Sequence, residues 1–301
     1  VSKRSASKGI RSAAARESKA AATKAATKAN TSAKAAAETQ SASKTKSGTK
    51  STGHGAFKHR FDARPDRLDF RDLVYEPPLR SLPEVFPTAV HLSKAVPSYV
   101  ASDLVLDQGR EGACTGYGLA AVVNYLLWLR ALEQPGKPQA VRVSPHMFYE
   151  LARRYDEWEG EDYEGSSCRG ALKGFHKHGV CQEKYWPKSG AGARVNTEWD
   201  VDALRRPLGV YYRINKNSVV DMQAAIAEIG AIYVSAQVHN GWDNVQNSPR
   251  APTSHNESEL PTIPARDSGE LGGHAFALVG YNERGFIVQN SWGPRWGAAG
   301  F

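Results

Sequence analysis

Chemistry in this chain starts from a cysteine at the mouth of an apolar segment. Residues 107–118 (DQGREGACTGYG) are polar and broken by glycine, and they run straight into residues 119–132 (LAAVVNYLLWLRAL). The apolar run is rich in Ala and Leu, lacks Pro and Gly, and reads as a buried helix. Cys114 therefore stands at or just before a helix N-terminus, where unpaired N–H groups and the macrodipole stabilise an anion. A thiolate is the useful anion there, because the thiolate is the nucleophile. Upstream, Gln108 has an amide N–H₂ to offer to a charge developing near the sulfur, and Gly109 and Gly112 let the backbone fold tightly between them. A cysteine opening an apolar helix is more often a small buried hydrophobe. The rest of the chain must supply a base and an orienter.

Of nine histidines, His274 has the setting of a base. His54, His59 and His91 lie in the polar or proline-rich N-terminal part, His239 and His255 in a long loop. His146, His176 and His178 fall on expected helices, where surface or satisfied core roles are usual. His274 follows Gly272-Gly273 and opens the first strand of an expected hairpin, residues 275–281 and 286–289 around the turn 282–285. Asn290 ends the second strand, so both residues lie at the open end of one hairpin. An Asn oxygen there can accept from one imidazole nitrogen while the other faces the thiol, with Trp292 shielding that bond from water. Nucleophile, base and orienter are what covalent acyl transfer needs.

Three segments together resemble the papain-like cysteine proteases, in the bacterial style of that family. DQGREGAC (107–114) resembles the segment carrying the nucleophile, GGHAFALVGY (272–281) the histidine strand, and QNSWGPRWG (289–297) the NSWGxxWG segment. The resemblance covers about residues 100–301. It implies Cys114 as nucleophile, His274 as general base and then general acid, and Asn290 as orienter, with Gln108 and the Cys114 N–H as oxyanion donors. It also implies that Glu164-Gly165-Ser166 pairs with an extended peptide, and that Gly273, Ala275 and Trp292 border the substrate. The implied substrate is a peptide or protein. Three departures stand out. Glu111 occupies a position where the family usually has a disulfide cysteine, Thr115 replaces a Trp, and Gly273 replaces the residue before the histidine. Residues 56–100 are too short and proline-rich for a long helical pro-segment of the usual type. Family members continue beyond Gly300-Phe301, so a fragment of a longer chain is expected.

Around these residues the chain must build a frame. Ser144-Pro145 begins a helix to about Tyr155. Residues 156–168 form an acidic loop, and Arg169–His178 is a third helix stopped by Gly179. Strands then follow: 209–215 alternates, Val219–Ile229 is an amphipathic helix, and 231–238 is strand-like. Residues 239–272 read as a long polar loop of lid or insertion type. For residues 56–106, with their many prolines, short extended pieces lying over a core fit better than helices. The expectation is an α+β fold of two subdomains, helical on the nucleophile side and antiparallel β on the other, with a cleft between them.

Charge divides the chain. Residues 1–50 hold 12 Lys/Arg against 2 Asp/Glu, and the remaining 251 hold 27 against 29. Residues 1–55 are Ala, Ser, Thr and Lys, with too little apolar surface to offset ordering entropy, so a disordered basic tail is expected. A weak, salt-sensitive contact with nucleic acid or another polyanion is set against a plain solvated linker. The peptidase domain is assigned to residues 56–301. Three cysteines do not make a disulfide framework. With no signal-peptide core visible, a reducing, cytoplasmic setting is favoured. No run of 18 or more apolar residues is present. No metal site and no cofactor is expected, and the protein is expected to be a monomer. The leading function is a thiol endopeptidase. The alternatives are an acyl transferase or amidase using the same acyl-enzyme, and a non-catalytic papain-like module tethered by the basic tail.

Overall fold

The computed structural model describes residues 60–158, 164–188, 194–265 and 271–301; the expected tail lies outside them. Its helices are α1 (Ala89–Ala101), α2 (Cys114–Glu133), α3 (Pro145–Arg154), α4 (Cys168–His178), α5 (Trp199–Ala203) and α6 (Val219–Ile229). Its strands are β1 (Ala63–Arg64), β2 (Ser166–Ser167), β3 (Ile232–Val238), β4 (Gly272–Asn282) and β5 (Gly285–Gln289). Strands β3, β4 and β5 form an antiparallel sheet in that order, and β1 pairs with β2 in parallel.

Helix α2 is apolar on nearly every side, so it can only be central. One face joins Tyr117 and Ala120 to Met147, Phe148, Leu151 and Phe175 of α3 and α4. The other joins Ala121, Tyr125 and Trp128 to Leu92, Val96 and Tyr99 of α1 and to Val279 and Ile287 of the sheet. A third cluster, with Ile226, Trp242, Phe276, Tyr281, Trp292 and Trp296, fills the sheet side. Thr88, Ser144, Ser167 and Ser218 cap α1, α3, α4 and α6 by accepting a backbone N–H. Helix α2 differs: its cap is Ala113, which provides no side-chain acceptor. The N–H groups of its first turn are therefore left for other partners.

Two expectations need correction. Residues 89–101 are helical although Pro97 lies inside them. Leu92, Ala95, Val96 and Tyr99 are buried on one face, and that packing outweighs the lost bond. Ser93, whose carbonyl Pro97 cannot serve, is exposed to water. Residues 209–215 are not a strand; only Arg213 pairs, in a single bridge to Val74. Val210 and Tyr212 face solvent, so the alternation has no sheet to join. The long loop packs Trp242, Val245 and Leu260 into the core.

Close approach of α2 to β4 decides where the sulfur lies. A Cβ added at Gly118 would stand 2.9 Å from the Ala275 and Phe276 backbone. Gly118→Ala is therefore expected to push α2 off β4, at a cost of about 1–3 kcal/mol. Urea unfolding measures that cost, and wild-type stability in the variant would show the contact to be slack.

Candidate active site

Cys114 is the first residue of α2 and is fully buried. Its sulfur packs against Ala275 on β4 and accepts the Ala275 N–H. The residue before Ala275 is His274, also fully buried, paired across the sheet with Ala236. His274 Nε2 lies 2.8 Å from Asn290 Oδ1. The same Asn290 oxygen accepts the Ser291 N–H at 2.8 Å. Of the two ends of a carboxamide only the oxygen accepts an N–H, so the amide orientation follows, and with it a proton on Nε2 of the imidazole. An aromatic shell encloses that ring: Trp292 lies 5.0 Å away, Trp242 5.9 Å and Phe61 6.2 Å, centroid to centroid. The sequence singled out Trp292 only. Trp242, from the supposed lid, carried no signal beyond being an aromatic in a polar stretch.

Gln108 is buried beside the loop that ends in Cys114. Its Oε1 accepts Ser291 Oγ at 2.8 Å, and its backbone N–H donates to the Ser291 carbonyl at 2.9 Å. One N–H of its amide goes to the Glu111 carbonyl at 3.0 Å; a carboxamide has a second to give. Thus the residues that follow Asn290 hold both the imidazole partner and Gln108.

A strap from the N-terminal side of the described chain lies across this site. Ala63 and Arg64 pair with Ser166 and Ser167, and Asp62 bridges to Gly273. Side chains at Gly165 and Gly273 would collide with the strap backbone at Asp62 and Ala63, and one at Gly112 with the Asp62 carboxylate. Ala63 is buried against Cys114, Cys168 and Ala275. Gly165, Ser166, Gly273 and Ala275 are thus brought together around an extended backbone. Glu164 stays at the rim, its side chain paired with Arg60 and its carbonyl accepting from Tyr149. Beyond Trp292 a cavity of about 240 Å³ opens among Arg110, Asp243, Arg295 and Trp296.

Burial pushes the Cys114 thiol up to about 11; the N–H groups of Ala275 and Asp62 pull it down, and the Asp62 carboxylate adds to the rise. Desolvation outweighs those N–H groups, so burial under the strap favours the neutral thiol.

Residues 105–301 match the model of the papain family cysteine proteases. The chain belongs to this family. An uncharacterized peptidase C1-like protein of Acanthamoeba polyphaga mimivirus is 25% identical over 201 residues, which are 65% of this chain and 62% of that protein. Cysteine proteinase 1 of Entamoeba histolytica is 25% identical over 207 residues, 65% of this chain and 58% of that one. The chain thus spans about three fifths of the length of these curated relatives. Among solved structures, xylellain, a cysteine protease from Xylella fastidiosa, superposes with a TM-score of 0.59 at 25% identity, over 83% of this chain and 91% of that one. Digestive procathepsin L 3 of the Tenebrio molitor larval midgut shares the fold, with a TM-score of 0.53 at 19% identity over 76% of this chain and 66% of that one. The fold is papain-like and α+β.

As a papain-family chain it has its own local solutions. Thr115 Oγ1 and Ser166 Oγ are 2.6 Å apart, and the Thr115 carbonyl accepts the Tyr233 hydroxyl at 2.7 Å. These bonds tie the start of α2 to β2 and to β3. All three cysteines are free thiols.

The strap is bolted down by charge. Arg169, almost fully buried, donates its backbone N–H to Asp66 at 3.0 Å and its guanidinium to Asp72 and to the Arg67 carbonyl, and it pairs with Glu157 at 2.8 Å. Arg213 joins Asp66 and Asp72 from outside. Breaking a buried ion cluster from one side costs about 3–5 kcal/mol. Arg169→Ala is therefore expected to raise iodoacetamide labelling of Cys114 at least about tenfold while Cys181 stays protected, as read by mass spectrometry. Unchanged Cys114 labelling would mean that the cluster does not hold the strap.

Acidity works on the same bolt. Burial works to raise the Asp72 pKa, but hydrogen bonds from Arg169 and Arg213 overcome it and hold the group below the usual carboxylate range. A depressed pKa stabilises the docked strap above the ordinary carboxylate pKa, and that contribution is lost as pH falls through the depressed value. Hydrogen exchange of the 61–66 amides, corrected for intrinsic rates, is expected to quicken below about pH 4; protection that is flat with pH would oppose this.

Proposed function

We propose that this chain is a cysteine-type peptidase that hydrolyses peptide bonds through a thioester. Cys114 Sγ attacks the scissile carbonyl carbon after giving its proton to His274. The carbonyl electrons move onto oxygen, where the Cys114 N–H and the Gln108 amide donate to the oxyanion. Collapse of that adduct breaks the C–N bond, and His274 protonates the leaving amine. Water, deprotonated by His274, then attacks the thioester; the acid leaves and the thiol is restored. Asn290 holds the imidazole in the tautomer that this sequence of transfers needs.

The observation that carries the reading is the sulfur of a helix N-terminus lying against the residue that follows an Asn-held histidine. The strap supports the same reading. An extended backbone already fits between Ser166 and Gly273, so a peptide substrate can use the same polar groups once the strap leaves. The cavity beyond Trp292 is free of the strap and offers room for the chain on the leaving-group side.

Cys114→Ala is expected to abolish cleavage of a fluorogenic peptide or of casein by strap-opened protein, with the thermal melt unchanged. His274→Ala should lower turnover on the order of 10²–10⁴-fold. Hydrolysis at the wild-type rate by the Cys114 variant would end the proposal.

A further inference from the structure

Outside the reacting atoms, one partly exposed ion cluster acts on the oxyanion side of the site. Glu111 Oε2 is 3.2 Å from His146 Nε2 and 3.2 Å from Lys188 Nζ. His146, on α3, is almost fully buried, its ring edge-on to Tyr117 of α2 and Tyr149 of α3 at 6.0 and 6.2 Å. Lys188 also donates to the Gln108 carbonyl at 3.2 Å. The Glu111 carbonyl in turn accepts the Gln108 amide. The chain of contacts is continuous: the side chain of Glu111 is gripped by α3 and by Lys188, and its backbone grips the side chain of Gln108.

We propose that Glu111, with His146 and Lys188, is a positioning group for the oxyanion donor Gln108, fixing by charge a loop that no covalent cross-link ties. The proposal rests on the peptidase reading. Loop 107–113 is broken by Gly109, which sits at φ 65°, and by Gly112, so its backbone is not self-supporting. Gln108 Oε1 is already held by Ser291, which leaves the amide to pivot about that contact. The Glu111 carbonyl stops the pivot, and it does so only while Glu111 itself is fixed. A carboxylate between an imidazole and an ammonium is well suited to that, since hydrogen bonding to His146 and then the Lys188 charge hold its pKa low and keep it ionised. His146 was set aside in the sequence as an ordinary helix histidine. Its role depends on a partner 35 positions away in the chain, which spacing does not reveal.

The test compares two reagents that use the same sulfur. A peptide aldehyde forms a tetrahedral adduct whose oxygen needs the oxyanion donors; iodoacetamide alkylates the thiolate without forming one. In the full chain opened by Arg169→Ala, Glu111→Ala and Lys188→Met are expected to weaken aldehyde binding about tenfold while the alkylation rate stays within about twofold. Complete loss of an oxyanion donor costs more, about 10²–10³ in kcat. With a peptide substrate, kcat should fall by the same factor as aldehyde affinity, and KM should hold. The Glu111→Ala and His146→Phe effects should be non-additive, as for residues acting through one contact; the lysine variant keeps the test open if His146→Phe does not fold. Aldehyde affinity and alkylation falling together, additive effects, or aldehyde affinity unchanged by Glu111→Ala would each overturn the positioning role alone. Arg169→Ala protein that is alkylated at Cys114 yet neither binds the aldehyde nor cleaves peptide would overturn the peptidase reading and this proposal with it.

Discussion

Contact between one helix and one strand governs the rest of this structure. Gly118 lets the backbone of α2 lie on that of β4 at Ala275 and Phe276. Because Cys114 begins that helix and His274 precedes Ala275, the contact carries a thiol to within reach of the imidazole neighbourhood. Three apolar clusters grip α2 and the sheet, and their combined burial holds the helix against the strand. The missing side-chain cap at Ala113 fits the same logic. A serine there would take up an N–H that an anion at the sulfur side can use.

Opposing electrostatic influences meet at the sulfur. The helix N-terminus and the surrounding N–H groups favour the thiolate, while burial under Asp62 and Ala63 favours the thiol. Burial dominates, so the covered sulfur favours the thiol, the less reactive form. The strap packs Phe61 and Ala63 on the site, while Leu68 and Phe70 stand exposed beyond it, so apolar burial is only part of its hold. The rest comes from paired backbone at β1 and from carboxylates around Arg169 and Arg213. Such a fastening responds to charge in a way that an apolar one does not.

Much of the frame was legible because the local patterns agreed with the tertiary ones. Ser144-Pro145 announced α3, and Gly179 ended α4 with φ 70°. The hairpin was readable from two short apolar runs around the Asn282–Gly285 turn. Where reading failed, tertiary packing had overruled a local rule. Pro97 argued against a helix that α2 and the sheet nevertheless stabilise. Val210 and Tyr212 alternate like a strand but find no neighbour to pair with. Glu111 was noticed only as a departure from a pattern, and the ion cluster it forms was invisible.

What the sequence determined by itself was chemistry and order. It set a thiol at a helix mouth, an imidazole and a carboxamide at the two ends of a hairpin, and three motifs in the succession of one family. These are properties of residue type and short spacing, which a linear string preserves. Only the tertiary structure decided what faces what. Strap against cleft, Arg169 among carboxylates, Trp242 beside His274 and His146 on Glu111 all join residues far apart in the chain. Such contacts depend on how separately formed elements pack, and the free energy that selects them comes from burial and pairing that no short window of sequence contains.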